Sequence, residues 1–510
     1  VLVSAPVFST VLPPLFDYPN HLARMHLLAE GGNRFFQVRW APLPDLAEDL
    51  IVPPLSRLLP LETAGKLFLV MIFAAIAGGV LWLNRTATGA WRIWPLSAFL
   101  LLYNRSFLWG FLNYLFGLGA ALLGAALWLA LEDRRPALRV AASSAAALVC
   151  FFSHLAAFGV YAVTIGGIEL PHFVAALRAR DRSAVVHQAV VVGAQFIVPV
   201  GVLVHWRRAT VGGGTAYAGF LRKFDLPFGV FDNYARAFDI AGFALCSGLL
   251  VWLAATGRLG LTRRLGLGAA LLLLCYLALP SRLFGASGID HRLPLAIFLL
   301  VIAGSAPRFP DRRVAVVIGA AAAVLLALRI GVIERVWLQA DRIYSADLAG
   351  LDRLPPETRL AVAYPAGSIH VSAVPDVHLP AMAVVRRDAF VSTLFALPGQ
   401  QPLALRQPWA AIAAAAQPAL LWTALAGPAA LPLPAVLAHF DAVALVGDRA
   451  AAPNRCLRAI LATPSLRILS VQRGIGCFAS DPGRSVFSLA RLEFERPGGA
   501  AAQEHAVPGK

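Results

Sequence analysis

Residues 63–83 read TAGKLFLVMIFAAIAGGVLWL, in which Lys66 is the one charged side chain. About 20 apolar residues in helical conformation cross the hydrocarbon core of a bilayer. This stretch is long enough to do so and decides the fold class, a polytopic α-helical membrane protein. Working outward from it, further apolar runs occupy 93–103, 107–131, 140–152, 155–170, 184–206, 239–256, 265–279, 293–306 and 314–332. Some are short, and these come in pairs. Runs 93–131 and 140–170 each read as two spans joined by a brief polar turn, Asn104-Arg105-Ser106 and Ser153-His154. The whole composition agrees. Of 510 residues 58% are hydrophobic and 14% charged, against about 25% charged in soluble proteins, and the mean hydropathy is +0.69. A disordered chain is excluded, and a wholly soluble one has no core large enough to hide so much apolar surface.

The net charge of +16 would suggest nucleic acid if the basic residues were spread over a soluble surface. They are bunched instead in short connections: Arg85 and Arg92; Arg134, Arg135 and Arg139; Arg178, Arg180 and Arg182; Arg258, Arg263 and Arg264; Arg308, Arg312 and Arg313. Lys and Arg beside span ends are retained on the cytoplasmic side. Alternate connections are basic, which predicts about eleven spans with the N-terminus inside and the C-terminus outside, and no nucleic-acid partner. Trp82, Trp91, Trp94, Trp206 and Trp337 fall near the proposed span ends, where indole rings favour the interface. Val1 to Leu15 is apolar and has neither an initiator Met nor a basic lead-in. It reads as the outer part of a first span, with a cleaved signal peptide as the alternative.

Beyond residue 333 the pattern changes. Pro-rich turns separate β-like runs at 359–364, 441–446, 466–471 and 486–494, with an Ala-rich helical stretch at 409–426. Residues 1–333 are thus expected to form the transmembrane domain, with an external first loop at 17–62, and 334–510 an external α/β domain. Cys456 and Cys477 are the only cysteines of that tail. They form a disulfide if the compartment is oxidising, or two buried thiols. Five cysteines with no CxxC make neither a disulfide framework nor a zinc site.

The first loop carries the most informative residues. Asp17-Tyr18-Pro19-Asn20-His21-Leu22-Ala23-Arg24 follows directly on an apolar stretch, which places an ionisable carboxylate at the outer membrane boundary. Asp followed by Pro two positions on is equally a helix N-cap signature, and a cap can also fix a catalytic carboxylate. Leu43, Leu46 and Leu50 recur at helical spacing, and Leu55, Leu58 and Leu59 begin a second such piece. These predict short amphipathic helices lying on the membrane surface. Asp45, Glu48 and Asp49 between them read first as a solvated helix face.

A first span, an external loop that opens with an acidic residue and continues as amphipathic helices, many further spans and an external α/β tail together resemble the GT-C superfamily of integral-membrane glycosyltransferases. Protein O-mannosyltransferases and lipid A aminoarabinose transferases belong to it. The resemblance covers the layout of the whole chain, and its specific residues lie between Asp17 and Arg24. It implies a polyprenyl-phosphate-linked sugar as donor, a glycan, lipid or protein acceptor, and transfer on the outer, periplasmic face of a bacterial inner membrane. Asp17 falls at the family's first-loop acidic position. The loop has no DxD, Glu48-Asp49 being the nearest acidic pair, so a divalent metal lacks its usual signature and no other cofactor is implied.

Transfer from a lipid phosphate needs a base for the acceptor hydroxyl and cations for the departing phosphate. Asp17 is the candidate base. His21, Arg24, Arg105, His154, Arg282, His291 and Arg292 fall at external ends in the expected topology, and guanidinium groups bind phosphate bidentately. Ser281-Arg282 and Asp290-His291-Arg292 bracket one short connection; Asp290 belongs to the candidate site or simply pairs with Arg282 or Arg292. His154, among Phe151, Phe152 and Phe158, is also readable as a satisfied buried histidine. Asn113 lines the cavity or bonds a neighbouring helix. Gly212-Gly213-Gly214 reads as flexible loop, and Gly117, Gly119 and Gly124 as helix-packing surface. The aromatic 207–239 loop covers a sugar or lipid tail, or rests on the interface. Two rival functions remain from the sequence: a transporter or flippase of lipid-linked glycans, and a non-catalytic envelope assembly protein.

Overall fold

The computed structural model describes residues 2–209, 214–217, 219–283, 286–366, 376–397, 399–426, 436–447, 467–472 and 488–491. Cys456, Cys477 and Gly212-Gly213 lie outside them.

Six described helices are long and apolar enough to cross a membrane: Leu61–Thr88, Leu112–Ala130, Pro136–Ser153, Leu155–Arg178, Arg236–Ala255 and Arg312–Leu351. A seventh span results if Arg182–Ala194 and Ile197–His205, bent by 55° at their junction, are counted together. Two more apolar helices, Arg263–Ala278 and Ile289–Gly304, have 16 residues each. The structure departs from the sequence expectation at two places, both containing proline. Residues 2–15 form only the short turns Leu2–Ser4 and Ala5–Ser9 before Pro13-Pro14 redirects the chain. The 93–103 run becomes an eight-residue 3-10 helix, Trp94–Leu101, headed by Pro95. The 140–170 run does divide at Ser153-His154, into Pro136–Ser153 and Leu155–Arg178.

Leu61–Thr88 packs along Leu112–Ala130, and the small residues predicted for packing make that approach possible. A Cβ on Gly119 would stand 2.6 Å from the Ala75 Cβ, and Gly117 serves the contact with Leu155–Arg178 in the same way, where a Cβ would stand 2.7 Å from the Ala157 Cβ. Side chains of Leu245, Val251, Val316, Val317, Val324 and Leu328 remain exposed along Arg236–Ala255 and Arg312–Leu351. Apolar faces of this extent are stable in contact with lipid tails and not with water.

The C-terminal part is built on a five-stranded mixed sheet in the order Phe390–Val391, Arg359–Ala363, Ala442–Leu445, Arg467–Gln472, Ser488–Arg491. Its first two pairings are parallel and the others antiparallel. Each β-like run in the sequence thus contributes one strand. The helix Arg312–Leu351 continues unbroken past residue 334. The first loop is woven into this part of the chain: Phe36–Val38 pairs antiparallel with Leu403–Leu405, and Phe35 packs edge-on against Trp409 at 4.9 Å. Tyr18–Glu30 lies against Met382–Arg387 on one side and Ala47–Ser56 on the other. Tyr18–Glu30 is therefore held between Ala47–Ser56, which packs on the bundle, and helical turns of the C-terminal part.

Candidate functional site

Asp17 occupies the N-cap position of Tyr18–Glu30, with Pro19 in the first turn, but its carboxylate makes no capping hydrogen bond. The backbone is pinned elsewhere, because Phe16 N–H donates to Leu108 O at 2.8 Å and Asp17 N–H to Trp109 O at 3.3 Å. Gly110 makes this docking possible. It has φ +88°, and a Cβ there would press on the Asp17 Cβ at 2.9 Å. Freed from capping, Asp17 Oδ1 lies 3.4 Å from His378 Nε2, with its side chain 19% exposed. The His378 ring is wedged edge-on between Phe16 and Phe395, at 4.9 and 5.1 Å.

One helical turn on, His21 and Arg24 enter a buried ionic network. Arg24 Nε donates to Asp49 Oδ1 at 2.8 Å, and His21 Nδ1 lies 2.6 Å from Glu48 Oε2. Gln401, oriented so that both ends of its carboxamide are satisfied, accepts from Arg24 Nη1 at 3.0 Å and donates to Phe395 O at 2.7 Å. Glu48 and Asp49 are buried, which corrects the expectation of a solvated acidic face. A solvated carboxylate needs no partner, whereas these two are held inside by Arg24 and His21. Asn113 fixes the approach of that helix: its Oδ1 accepts from Glu48 N–H at 2.7 Å and its Nδ2 donates to Asp45 O at 3.0 Å. The neighbouring element that Asn113 bonds is thus the first loop.

Arg292 is the guanidinium left over. It is buried, donates through Nη1 to the carbonyls of Ser287 and Gly288 at 3.1 and 2.9 Å, and stacks over Phe111 at 4.2 Å. Its Nε has no partner, and among the described residues no carboxylate forms an ion pair with it. Asp17 and Asp45 both act on it electrostatically. The remaining predicted cations are arranged differently. Arg105 Nε donates to Asp232 Oδ2 at 2.8 Å. Arg282 stands exposed on a small hairpin, Arg282–Leu283 with Ala286–Ser287. His291 packs on Trp109 at 4.9 Å beside Arg105 and Asn104. Asp290 pairs with neither Arg282 nor Arg292; its partner is Lys223, at 3.1 Å.

His154 caps Leu155–Arg178, its Nδ1 accepting from Ala156 N–H at 2.9 Å, and faces Tyr114 edge-on at 5.7 Å. It also lines a cavity of about 330 Å³. The walls are apolar and come from three helices: Val160 and Val163, then Leu272 and Cys275, then Ile289 and Leu293. Asp45, His154 and Gln400 supply its polar side chains.

Burial dominates the proton affinities here. It raises Asp17 from 3.8 to about 6, against the pull of His21, Arg24 and Arg292. Asp45 is raised to about 7, chiefly by burial and less by Asp49, with Arg24 opposing. Burial pushes His378 down to about 4, and His21 adds to the effect. For His21 itself burial disfavours the imidazolium, but the Glu48 carboxylate prevails and holds it above its ordinary value. At neutral pH the Asp17–His378 contact therefore joins a carboxylate to a neutral imidazole.

Two solved structures of ArnT resemble this fold. ArnT from Cupriavidus metallidurans in the apo state shares 15% identity and a TM-score of 0.41, covering 88% of this chain and 84% of its own. The same protein bound to undecaprenyl phosphate gives 14% identity and a TM-score of 0.42, with the same coverage. No family model and no curated protein sequence matches the chain.

Among the described residues no group of three or more His, Cys, Asp or Glu side chains is arranged to hold a metal ion. Glu48 and Asp49 are already committed to His21 and Arg24, so the residues present do not fit a divalent metal at this acidic pair. The residues that the sequence reading missed are His378, Gln400, Gln401, Lys223 and Asp232. None carries a local motif. His378, Gln400 and Gln401 lie in a part of the chain expected to fold apart from the first loop; the pairing of Phe36–Val38 with Leu403–Leu405 and the packing of Tyr18–Glu30 on Met382–Arg387 bring them to it.

Proposed function

We propose that this chain is a membrane glycosyltransferase of GT-C type, taking its sugar from a polyprenyl phosphate and passing it to an acceptor hydroxyl at the outer face of the membrane. The observation that carries this reading is the juxtaposition of three things. Asp17 is a carboxylate spared from capping, Arg292 is a buried guanidinium that pairs with no carboxylate among the described residues and feels the charges of Asp17 and Asp45, and an apolar cavity between helices is lined by Asp45 and by Leu293, the residue after Arg292. Cavities of roughly 300–1,000 Å³ suit small-molecule ligands, and 330 Å³ accommodates a headgroup with the first part of its chain. The rest of an isoprenoid tail has lipid around it.

In this reading Asp17 removes the proton from the acceptor hydroxyl as its oxygen bonds to the anomeric carbon. The bond from that carbon to the phosphate oxygen breaks, and the electron pair leaves with the lipid phosphate, whose new charge is met by Arg292. His378 orients Asp17 and is neutral, so it leaves the charge of that carboxylate uncancelled. The ion pairs of Arg24 and His21 hold the Asp17-bearing helix against Ala47–Ser56. In this reading residues 334–510 lie on the periplasmic side of a bacterial inner membrane, and the bunching of arginines in alternate loops supports that orientation.

The test is turnover of the purified protein in lipid nanodiscs with undecaprenyl phosphate carrying one sugar, reading release of undecaprenyl phosphate. Asp17→Asn should abolish most release while Arg24 and its partners keep the fold. Unaltered release by well-folded Asp17→Asn ends the assignment of Asp17. Wild-type protein that moves labelled lipid across the bilayer without releasing the phosphate favours transport.

A further inference from the structure

The cavity's polar side chains are more than an apolar tail requires, and they are the wrong kind for a phosphate alone. Asp45 comes from the first loop, His154 from the break between two spans and Gln400 from the C-terminal part. The His154 tautomer follows from its cap. Nδ1 accepts from Ala156 N–H, so in the neutral ring the proton sits on Nε2, which has no protein partner among the described residues and acts as a donor. Gln400 is exposed to the cavity side of the molecule, and its carboxamide makes no hydrogen bond to a described residue. It offers both a donor and an acceptor.

Asp45 is held for this position at some conformational expense. Its φ is +98°, a region that non-glycine residues seldom adopt and that Asp tolerates better than most. Strain of this kind persists only where the surroundings fix it. Here they do: Asp45 N–H donates to Phe152 O at 3.2 Å, Leu46 N–H to the same carbonyl at 2.6 Å, and Asn113 Nδ2 to Asp45 O. A carboxyl group in the path of a phosphate repels it. A carboxyl, an imidazole N–H and a carboxamide together match a ring of hydroxyl groups, each of which donates and accepts.

We infer that Asp45, His154 and Gln400 form a rim that reads the sugar carried by the lipid, while the apolar helices below it hold the tail. The inference rests on the donor-lipid reading above and gives it a specificity determinant contributed by three separate parts of the chain. Asp45 and Gln400 discriminate among sugars, and the phosphate is left to Arg292.

The experiment is equilibrium binding of the full chain in nanodiscs to two kinds of probe. One is bare undecaprenyl phosphate; the other is undecaprenyl phosphate bearing a single hexose or a single pentose. The wild type should bind one of the sugar-bearing lipids more tightly than the bare one. Asp45→Asn and Gln400→Ala should each weaken that preferred lipid by about tenfold, the scale of one lost buried hydrogen bond, and leave the bare lipid within about twofold. Gln400→Ala changes an exposed side chain and does not threaten folding. Equal wild-type affinity for bare and sugar-bearing lipids, or variants that lose both alike, overturns the rim while leaving the donor site standing. Wild-type protein that binds none of these lipids overturns the donor reading itself.

Discussion

Two groups of buried ionic side chains are built to opposite standards. One surrounds Glu169, which accepts from Trp128 Nε1 at 2.6 Å, Arg139 Nη2 at 2.9 Å and Gln188 Nε2 at 2.9 Å, with His172 Nδ1 at 3.1 Å. Arg264 completes it, bidentate to Glu132 at 2.7 Å through both Nη atoms. Both Glu169 oxygens are satisfied. The other, at the first loop and the start of Ile289–Gly304, leaves groups unmatched. Among the described residues Arg292 Nε, Glu48 Oε1, Asp290 Oδ1 and His378 Nδ1 have no hydrogen-bond partner. A satisfied network holds helices in register, whereas a buried polar group left open is an unmet demand that a ligand or water can fill. That contrast, more than the presence of charge, separates a structural knot from a candidate site.

Substitutions can break the contrast. Asp17→Asn should lower turnover by about 100-fold to 10,000-fold, the range for a positioned base, measured as phosphate-lipid release per folded molecule. Glu169→Ala should do the reverse. It leaves Arg139 buried without its carboxylate and should destabilise by about 3–5 kcal/mol, seen as a lower melting temperature with turnover per folded molecule retained. If Glu169→Ala instead spares stability and removes turnover, the two clusters have exchanged roles.

Smaller changes sharpen it. Arg292→Gln should weaken undecaprenyl phosphate binding by about 10-fold to 100-fold, as expected for one charged hydrogen-bonding partner, with little change in melting temperature. Asn113→Ala removes the bonds to Glu48 N–H and Asp45 O and should destabilise by about 1–3 kcal/mol, read by thermal unfolding.

The pH dependence of Asp17 provides the finest test. Its value is raised from 3.8 to about 6, so the folded protein holds this proton more tightly than the unfolded chain does. The stability associated with it is fully present below 3.8 and is lost as pH rises through about 6. Asp17→Asn should therefore melt higher than wild type at pH 8 and lose that advantage at pH 4. The activity sign is opposite. The base must be unprotonated, so wild-type turnover should fall tenfold per pH unit below about 6 and level off above it.

Much of the frame was legible because hydrophobic runs and breakers are local. The split at Ser153-His154, the helix start at Asp17-Tyr18-Pro19 and the strands near 359, 441, 466 and 486 all follow from residues within a few positions of one another. The roles of individual charges were not. Glu48 and Asp49 sit on a short amphipathic helix that looks solvated until Arg24 and His21 are placed against it. Asp290 has arginines nearby in sequence, yet it bonds Lys223 from another loop.

By itself, the sequence determined the longer apolar stretches that need lipid, the break at Ser153-His154, and that Asp17 stands at the head of a helix. These are decided by periodicity, proline and the free energy of apolar burial, all of which act over short distances along the chain. Tertiary structure alone decided which cation stays without a counter-ion and which carboxylate goes uncapped, and it brought His378 and Gln400 to the first loop. Charge pairing depends on distance in space, and residues far apart in sequence become neighbours only when the first loop packs against both the bundle and the C-terminal part.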